Sequence, residues 1–352
     1  MGEAPRRVAI TGVDGFWGRE LALALAGDVG VERIVALGEK RPAFGLDRME
    51  FVQIDLLHPM LVEVLASHGV EAVCHLGPER RGRLDEDAFQ KNVLGTMHLA
   101  SAAANVGARK FVYQSSIRAY GARHDNPSFI PETRRVAKGM EYPENRDLYE
   151  IERYLEEFAG KRPEVGVVVL RFAWILGPVA GTPFSRTLDL PAVPTLLGFD
   201  PHFQFIHERD VVRALAHAVR SLERGVFNVA ADGVVPLSRV LRKAGKLPVP
   251  NPHPLAYGAA RVLARLGIDE PFPIEVDFLR YSVVADTRRM QAEMAFEPEH
   301  SADATIESYV RRRRRRNAGR ALGFLDAVGR GAERFFRRLP GSAKSLSRKK
   351  SG

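Results

Sequence analysis

A single cysteine, Cys74, stands among 352 residues. That excludes an internal disulfide framework and points to a reducing compartment. Long apolar runs are also missing: no stretch of about 18 uncharged apolar residues occurs, so no membrane-spanning helix is expected. The polar start, Met1 to Arg7, runs straight into an apolar pattern, and no secretory leader is expected. Histidines His58, His68, His75, His98 and His217 are scattered without metal-ligand spacing, so no metal is expected. No internal repeat is visible. Acidic residues become scarce only at the end, where 15 Lys/Arg from Arg311 onward stand against Asp326 and Glu333. Residues 1–310 therefore hold 37 basic and 41 acidic residues, and the formal net charge of +9 belongs to the tail. A mildly acidic body argues against a core built for nucleic acid. The expected place is the cytoplasm, with the basic tail as the means of peripheral contact with the inner membrane face.

What is present is a chain with 45% hydrophobic residues, enough for a substantial core. Short apolar runs alternate with helical patterns through the first half. Strands are expected at Val8–Ile10, Arg33–Leu37, Phe51–Ile54, Ala72–Leu76, Phe111–Gln114 and Val167–Leu170. Helices are expected near Arg19–Ala26, Pro59–His68, Asp85–Val106 and Arg146–Ala159. That alternation predicts an α/β fold, a Rossmann-type doubly wound parallel sheet covered on both faces. The unbroken run Val167 to Leu170 reads as a strand buried on both sides.

Between the first strand and first helix lies Thr11–Gly–Val–Asp–Gly–Phe–Trp–Gly18. Gly12 can adopt backbone angles closed to other residues. Gly15 offers no side chain against a pyrophosphate, and Gly18 lets the helix pack close to its strand. The helix N-terminus adds free N–H groups and partial positive charge. Strand, tight turn and helix start together predict a dinucleotide cradle, formed by Gly12, Gly15, Phe16, Trp17 and Gly18.

The second half is less regular. Gly177–Gly198, with Pro178, Pro183, Pro191 and Pro194, reads as loop. Arg209–Leu222, Leu237–Ala244 and Pro254–Leu266 read as helices, and Gly225–Ala230 as a strand. A small C-terminal substrate lobe, mainly residues 178–205 and 231–300, is expected to complete a domain spanning 1–310. Residues 311–352 then form a basic tail. In it Ala321, Leu325, Val328, Ala332, Phe335 and Leu339 recur at helical spacing among arginines. A basic amphipathic helix of this kind fits an anionic membrane surface. A partly disordered tail, or a helix packed on the body, is the alternative, and Gly319, Gly323, Gly329 and Gly331 weaken any isolated helix.

The glycine turn resembles the TGxxGxxG turn of the extended short-chain dehydrogenase/reductases, the NAD-dependent epimerase/dehydratase family. Further matches follow in family order: Asp55–Leu56, Cys74–His–Leu–Gly77, Asn92–Val–Leu–Gly–Thr96, Ser115–Ser–Ile–Arg–Ala–Tyr–Gly121, Leu170–Arg171 with Gly177–Pro178, Phe205–Ile–His–Glu–Arg–Asp210, Asn228, Asp286 and Phe296–Glu–Pro298. The resemblance spans roughly residues 7–310. It implies that Asp55 and Leu56 meet the adenine, that Leu76 and Gly77 line the cofactor, and that Asn92 lies beside it. Family members often dimerise through two long helices, which here would be those of Asp85–Val106 and Arg146–Ala159.

The same resemblance implies a Ser, Tyr and Lys set, with Tyr and Lys spaced YxxxK on one helix. This chain contains no YxxxK. The segment matched to it is Tyr149–Glu–Ile–Glu–Arg153, with Glu157 after it; Tyr142–Pro–Glu–Asn–Arg146 repeats the spacing but holds a proline that marks a helix start. Arginine keeps the positive charge but stays protonated and relays no proton. Ser116, Tyr149 and Arg153 are thus the candidate catalytic residues, and Tyr149 and Arg153 also the ribose contacts. Coenzyme choice is open between NAD and NADP: Glu39 suits a ribose 2′-hydroxyl, while Lys40 or Arg41 suits a 2′-phosphate, and all three also read as solvated loop charges.

The nucleotide-sugar members carry an arginine just before the FIHVxD segment, where this chain has Phe203–Gln204. Arg186 and His202 are the nearby groups that could meet an anion. Two readings follow. One is an NAD(P)-dependent oxidoreductase or epimerase/dehydratase for a small, lipidic or sugar-like alcohol or ketone. The other is a non-catalytic NAD(P)-binding sensor or scaffold whose tail reaches a membrane or partner.

Overall fold

The computed structural model describes residues 4–77, 89–137, 143–190, 192–252 and 275–315. Its centre is a parallel sheet of seven strands: β1 (Arg7–Thr11), β2 (Arg33–Gly38), β3 (Met49–Gln53), β4 (Ala72–His75), β5 (Lys110–Ser116), β6 (Gly166–Phe172) and β10 (Gly225–Val229). They lie in the order β10-β6-β5-β4-β1-β2-β3. The chain therefore starts in the middle, winds outward to β3, and returns to β4 on the other side of β1. The strand order thus reverses between β1 and β4, and sheets of this kind bind ligands outside the carboxyl ends of the strands at such a point.

Alternation along the strands separates two cores. Val8, Ile10, Val112, Val168 and Leu170 point to one face, where they meet Leu21, Ala22 and Leu25 of α1 (Phe16–Ala26) and Val211, Leu215 and Val219 of α6 (Glu208–Arg220). Ala9, Val35, Leu37, Phe111, Tyr113, Val167 and Val169 point to the other. There they meet Leu61 and Leu65 of α2 (Leu61–Ser67), Leu99 of α3 (Gly95–Asn105), and Ile151 and Leu155 of α4 (Pro143–Lys161). Both faces are covered, so the strands read as apolar throughout.

Among the described residues the expected strands and helices appear with ends moved by a few residues, and two segments differ in kind. The first is Gly177–Gly198, which holds α5 (Pro183–Asp189) and β8 (Ala192–Leu196) rather than loop. Thr182 caps α5 by accepting the Ser185 N–H, Pro183 supplies the fixed first-turn angle, and Phe184 and Leu188 bury one face. Strand β8 pairs in parallel with β12 (Leu247–Asn251). A third sheet joins β11 (Val234–Pro236), β9 (His202–His207) and β7 (Trp174–Leu176).

The second difference is at the proposed tail boundary. A helix, α9, runs over residues 302–315, after α7 (Leu237–Ala244) and α8 (Arg288–Ala292). Five of the six arginines thus continue a helix seated on the body, and the cut at 310/311 falls inside it. Arg313 donates to Asp189 Oδ1 at 2.7 Å, and Tyr309 OH donates to the Ser185 carbonyl at 3.2 Å. The helix expected at Pro254–Leu266 and the stripe from Ala321 to Leu339 lie outside the described residues.

Candidate active site

The glycine turn closes where the sequence places it. Gly12 sits at φ +67°, in the left-handed region that favours glycine, and the Gly15 N–H donates to Gly12 O at 3.1 Å. A Cβ at Gly18 would fall 2.3 Å from Gly12 O, so only glycine lets α1 start this close to β1. Gly15 is the residue preceding α1 and places no side-chain cap over its first turn. The inner surface of the turn is backbone, as a dinucleotide's pyrophosphate requires. Phe16 and Trp17 meet edge to face at 4.8 Å, and Trp17 packs on the core beneath.

Behind the turn lies a buried chain of side-chain hydrogen bonds whose direction can be worked out. Thr96 Oγ1 lies 2.5 Å from the Asn92 carbonyl, which only accepts, so the hydroxyl donates there. His75 Nε2, 2.9 Å from Thr96 Oγ1, must then carry the proton and donate. Its bare Nδ1 accepts from Thr11 Oγ1 at 2.7 Å, and Thr11 in turn accepts the Leu76 N–H at 3.2 Å. Burial holds the His75 imidazole neutral, lowering its pKa to about 4. The chain ties β1, β4 and α3 together at the carboxyl ends of the two strands and fixes Leu76, which is followed by Gly77. A Cβ at Gly77 would meet Gln114 O at 2.8 Å.

Asn92 lies in a π-helical turn, Gln90–Leu94, that leads into α3. Its side-chain amide donates to Asp147 Oδ2 at 2.8 Å, joining this turn to the start of α4. Arg146 lies over the Phe89 ring at 4.0 Å and 3.5 Å from Asp147 Oδ1. Arg146 and Asn92 thus share Asp147 as a partner, one on each carboxylate oxygen. Lys91, next along, pairs with Glu39 at 2.7 Å and bridges the end of β2 to the π turn. Arg41 lies over Phe51, and Lys40 is exposed. Asp55 is half-buried and uses one carboxylate oxygen on the Leu57 N–H, while Leu56 touches the Gly95 position.

Arg153, by contrast, is exposed. It pairs with Glu150 at 2.7 Å and Glu157 at 3.4 Å on its own helix. The α4 residues buried against the sheet are Leu148, Ile151, Glu152 and Leu155, and Arg153 is not among them. The structure does not bring Arg153 to the glycine turn. Tyr149 is half-buried one turn earlier, and Tyr142 lies outside the described residues.

Ser116 ends β5, half-buried, and its oxygen accepts the Arg118 N–H at 3.2 Å. That leaves its hydroxyl proton free to turn toward a substrate oxygen. Beneath it is a buried polar cluster that sequence reasoning missed in part. Ser115 Oγ donates to Glu152 Oε1 at 2.5 Å, and Arg171 donates to Glu152 Oε2 from two nitrogens, at 2.9 and 2.5 Å. Arg171 also donates to Tyr120 OH at 2.8 Å, and Tyr120 donates to Asn228 Oδ1 at 2.7 Å. Burial pushes the Tyr120 phenol up to about 12, so it stays protonated. Leu170–Arg171, Tyr120 and Asn228 were visible as motif positions; Glu152 was hidden in an acidic helix, EIERYLEE, with nothing to mark which carboxylate turns inward.

A buried aromatic core joins β7, β9 and α5. Trp174 is ringed by Phe184 and Phe203 at 5.6 Å and by Phe278 at 5.3 Å. Arg118 is buried against Trp174 and paired with Glu275. Phe203 belongs to this core, and Gln204 exchanges two hydrogen bonds with the Ala285 backbone. Arg186 and His202 are exposed. His207, Asp210 and His300 bring three possible metal-ligand atoms within 4.8 Å. Their bonds describe a clamp: Asp210 accepts from Arg213, from the Glu299 and His300 N–H groups and at His300 Nδ1. The two imidazoles stack at 3.9 Å and 13°, so their nitrogens do not converge on one point.

Comparison with known proteins agrees with this geometry. The NAD dependent epimerase/dehydratase family model matches residues 8–230. An uncharacterized protein of Mycobacterium tuberculosis is 30% identical over 317 residues, covering 88% of this chain and 84% of its own. UDP-glucose 4-epimerase of Erwinia amylovora is 30% identical over 129 residues, 35% of this chain and 37% of that one. Among solved structures, MoeE5 in complex with UDP-glucose and NAD superposes with a TM-score of 0.65 at 23% identity, over 89% of this chain and 99% of that chain.

Proposed function

Because the chain belongs to the NAD dependent epimerase/dehydratase family, we propose that it is an NAD-dependent enzyme that moves hydride at a hydroxyl-bearing carbon of a sugar-like substrate. The observation that carries this reading is the backbone-lined glycine cradle, Gly12 at φ +67° and Gly18 against Gly12 O, set over the ordered Thr11–His75–Thr96 chain. These residues fit a nicotinamide dinucleotide. When bound, it supplies the hydride acceptor.

The chain's own residues supply the rest. Ser116 polarises the substrate oxygen with its hydroxyl proton. Arg146, held over Phe89 beside Asn92, donates to the nicotinamide ribose and lowers a neighbouring phenol's pKa by its charge. At α4, Tyr142 and Tyr149 each precede an arginine by four residues. The placement of Arg146 favours Tyr142 as the acid/base that takes the hydroxyl proton. The half-buried position of Tyr149 supports it as the second reading. Glu39 faces the adenosine ribose, with Asp55 and Leu56 at the adenine. An alternative is a non-catalytic NAD-binding sensor, favoured by arginine in place of lysine. A homodimer through α3 and α4, and an anionic membrane as partner of the basic tail, belong to the same proposal.

The test is to mix the protein and NAD⁺ with a panel of nucleotide sugars, free uronates and secondary alcohols and to follow both NADH formation and the appearance of epimerised or dehydrated product, since a redox-neutral turnover regenerates NAD⁺. At least one substrate should be converted, and Tyr142→Phe should slow it about 100-fold or more while Tyr149→Phe does so far less. Tight NAD⁺ binding with neither NADH nor a new product across the panel would favour the sensor.

A further inference from the structure

The corner formed by β8, β12, α7 and the end of α9 combines two properties that soluble surfaces usually keep apart. Leu247 is 67% exposed, Leu197 63%, Val249 41% and Phe199 38%, all on or just beyond the two-stranded sheet. Cations surround them. Lys246, next to Leu247, donates to the Leu190 carbonyl, and Arg313 of α9 donates to Leu188 and Asp189 on the same connection. Arg239 and Lys243 of α7 pair with Asp303 of α9 at 2.8 Å, which locks α9 against the helix leading into β12. Arg242, Arg311, Arg312, Arg314 and Arg315 are exposed around this joint.

An exposed apolar strand normally invites another strand. Here it cannot. Asn251 O accepts the Leu197 N–H, so residues 247, 249 and 251 of β12 and 193, 195 and 197 of β8 face each other. Pro248 and Pro250 then lie on the outer edge of β12, and Pro194 on the outer edge of β8. Neither edge offers an N–H at those positions. A peptide partner added by strand pairing is thereby disfavoured, and the apolar side chains and the cations remain to be matched. An anionic lipid surface matches both.

We infer that this corner of the substrate lobe docks on an anionic membrane, with Leu247 and Val249 entering the headgroup boundary and the α9 arginines meeting lipid phosphates. The inference rests on the membrane partner proposed for the tail, and adds a structured contact that turns the lobe toward the bilayer. Substrate would then approach from the membrane side.

The test uses the full chain and two kinds of vesicle, phosphatidylcholine alone and phosphatidylcholine with phosphatidylglycerol. Cys74 is fully buried, so a cysteine introduced as Leu247→Cys takes an environment-sensitive label selectively. The expected result is flotation with phosphatidylglycerol vesicles only and a blue shift of the 247 label, with no shift for a label at Glu63→Cys on α2. The Leu247→Asp/Val249→Asp variant should lose about tenfold or more in vesicle affinity with an unchanged Tm. An unshifted 247 label together with wild-type affinity of that variant overturns the lobe contact; a loss confined to Leu325→Ser/Phe335→Ser would then assign binding to the tail alone. Failure of the full chain to float with phosphatidylglycerol vesicles overturns both.

Discussion

His75 donates through Nε2 to Thr96 Oγ1 across 2.9 Å, and the Thr96 bond to the Asn92 carbonyl fixes that direction. Burial keeps His75 as neutral imidazole, with its proton on Nε2. Protonation at Nδ1 would charge a fully buried ring and turn the Thr11 hydroxyl from donor to acceptor.

Stability should therefore depend on pH with a definite sign. Burial lowers the folded-state pKa of His75 from an ordinary 6.5 to about 4. Between these values the unfolded chain binds the proton and the folded chain does not. Stability from this group is full above about pH 6.5 and is lost as pH falls toward 4, by about 3 kcal/mol. His207, also lowered to about 4, adds in the same direction. Denaturant unfolding at pH 7 and pH 5 of wild type and His75→Gln measures the part due to His75. The glutamine variant should show a shallower pH slope.

The Glu152–Arg171 pair should be hard to break from one side. Both groups are buried, and Glu152 also takes the Ser115 hydroxyl. Arg171→Met leaves a buried carboxylate without its cation and should cost about 3–5 kcal/mol. The double variant Arg171→Met/Glu152→Leu should recover part of that loss. Chemical denaturation of the three proteins reads the coupling.

Gly18→Ala should damage the cradle and leave the sheet folded. The added methyl would lie 2.3 Å from Gly12 O, against backbone that cannot rotate away. Helix α1 must shift outward, so NAD⁺ affinity should fall about tenfold or more, a loss of about 1.4 kcal/mol, while far-ultraviolet circular dichroism stays near wild type.

Much of this was legible in the sequence because single local requirements dictated it. Val167 to Leu170 could only be a strand buried on both faces, and Gly12 and Gly18 were demanded by a turn with no room for side chains. The segment 177–198 was not legible, since α5 has only seven residues and β8 is hidden by Pro194, whose missing N–H matters only once the outer edge is known. The catalytic frame was ambiguous for a geometric reason. Tyr142, Arg146 and Glu150 repeat as Tyr149, Arg153 and Glu157 seven residues later, close to two helical turns. The sequence thus offers the same pattern twice, and what supports the proposed first frame is the pair of tertiary contacts, Asn92 to Asp147 and Arg146 over Phe89.

The decisive measurement is calorimetric titration of wild type, Arg146→Ala and Arg153→Ala with NAD⁺. Wild type should bind with micromolar affinity, Arg153→Ala should stay near wild type because an exposed pair on one helix contributes little, and Arg146→Ala should lose about tenfold or more. Binding by Arg146→Ala at wild-type strength with loss in Arg153→Ala would contradict the assigned frame, and no binding by wild type would contradict the cradle itself.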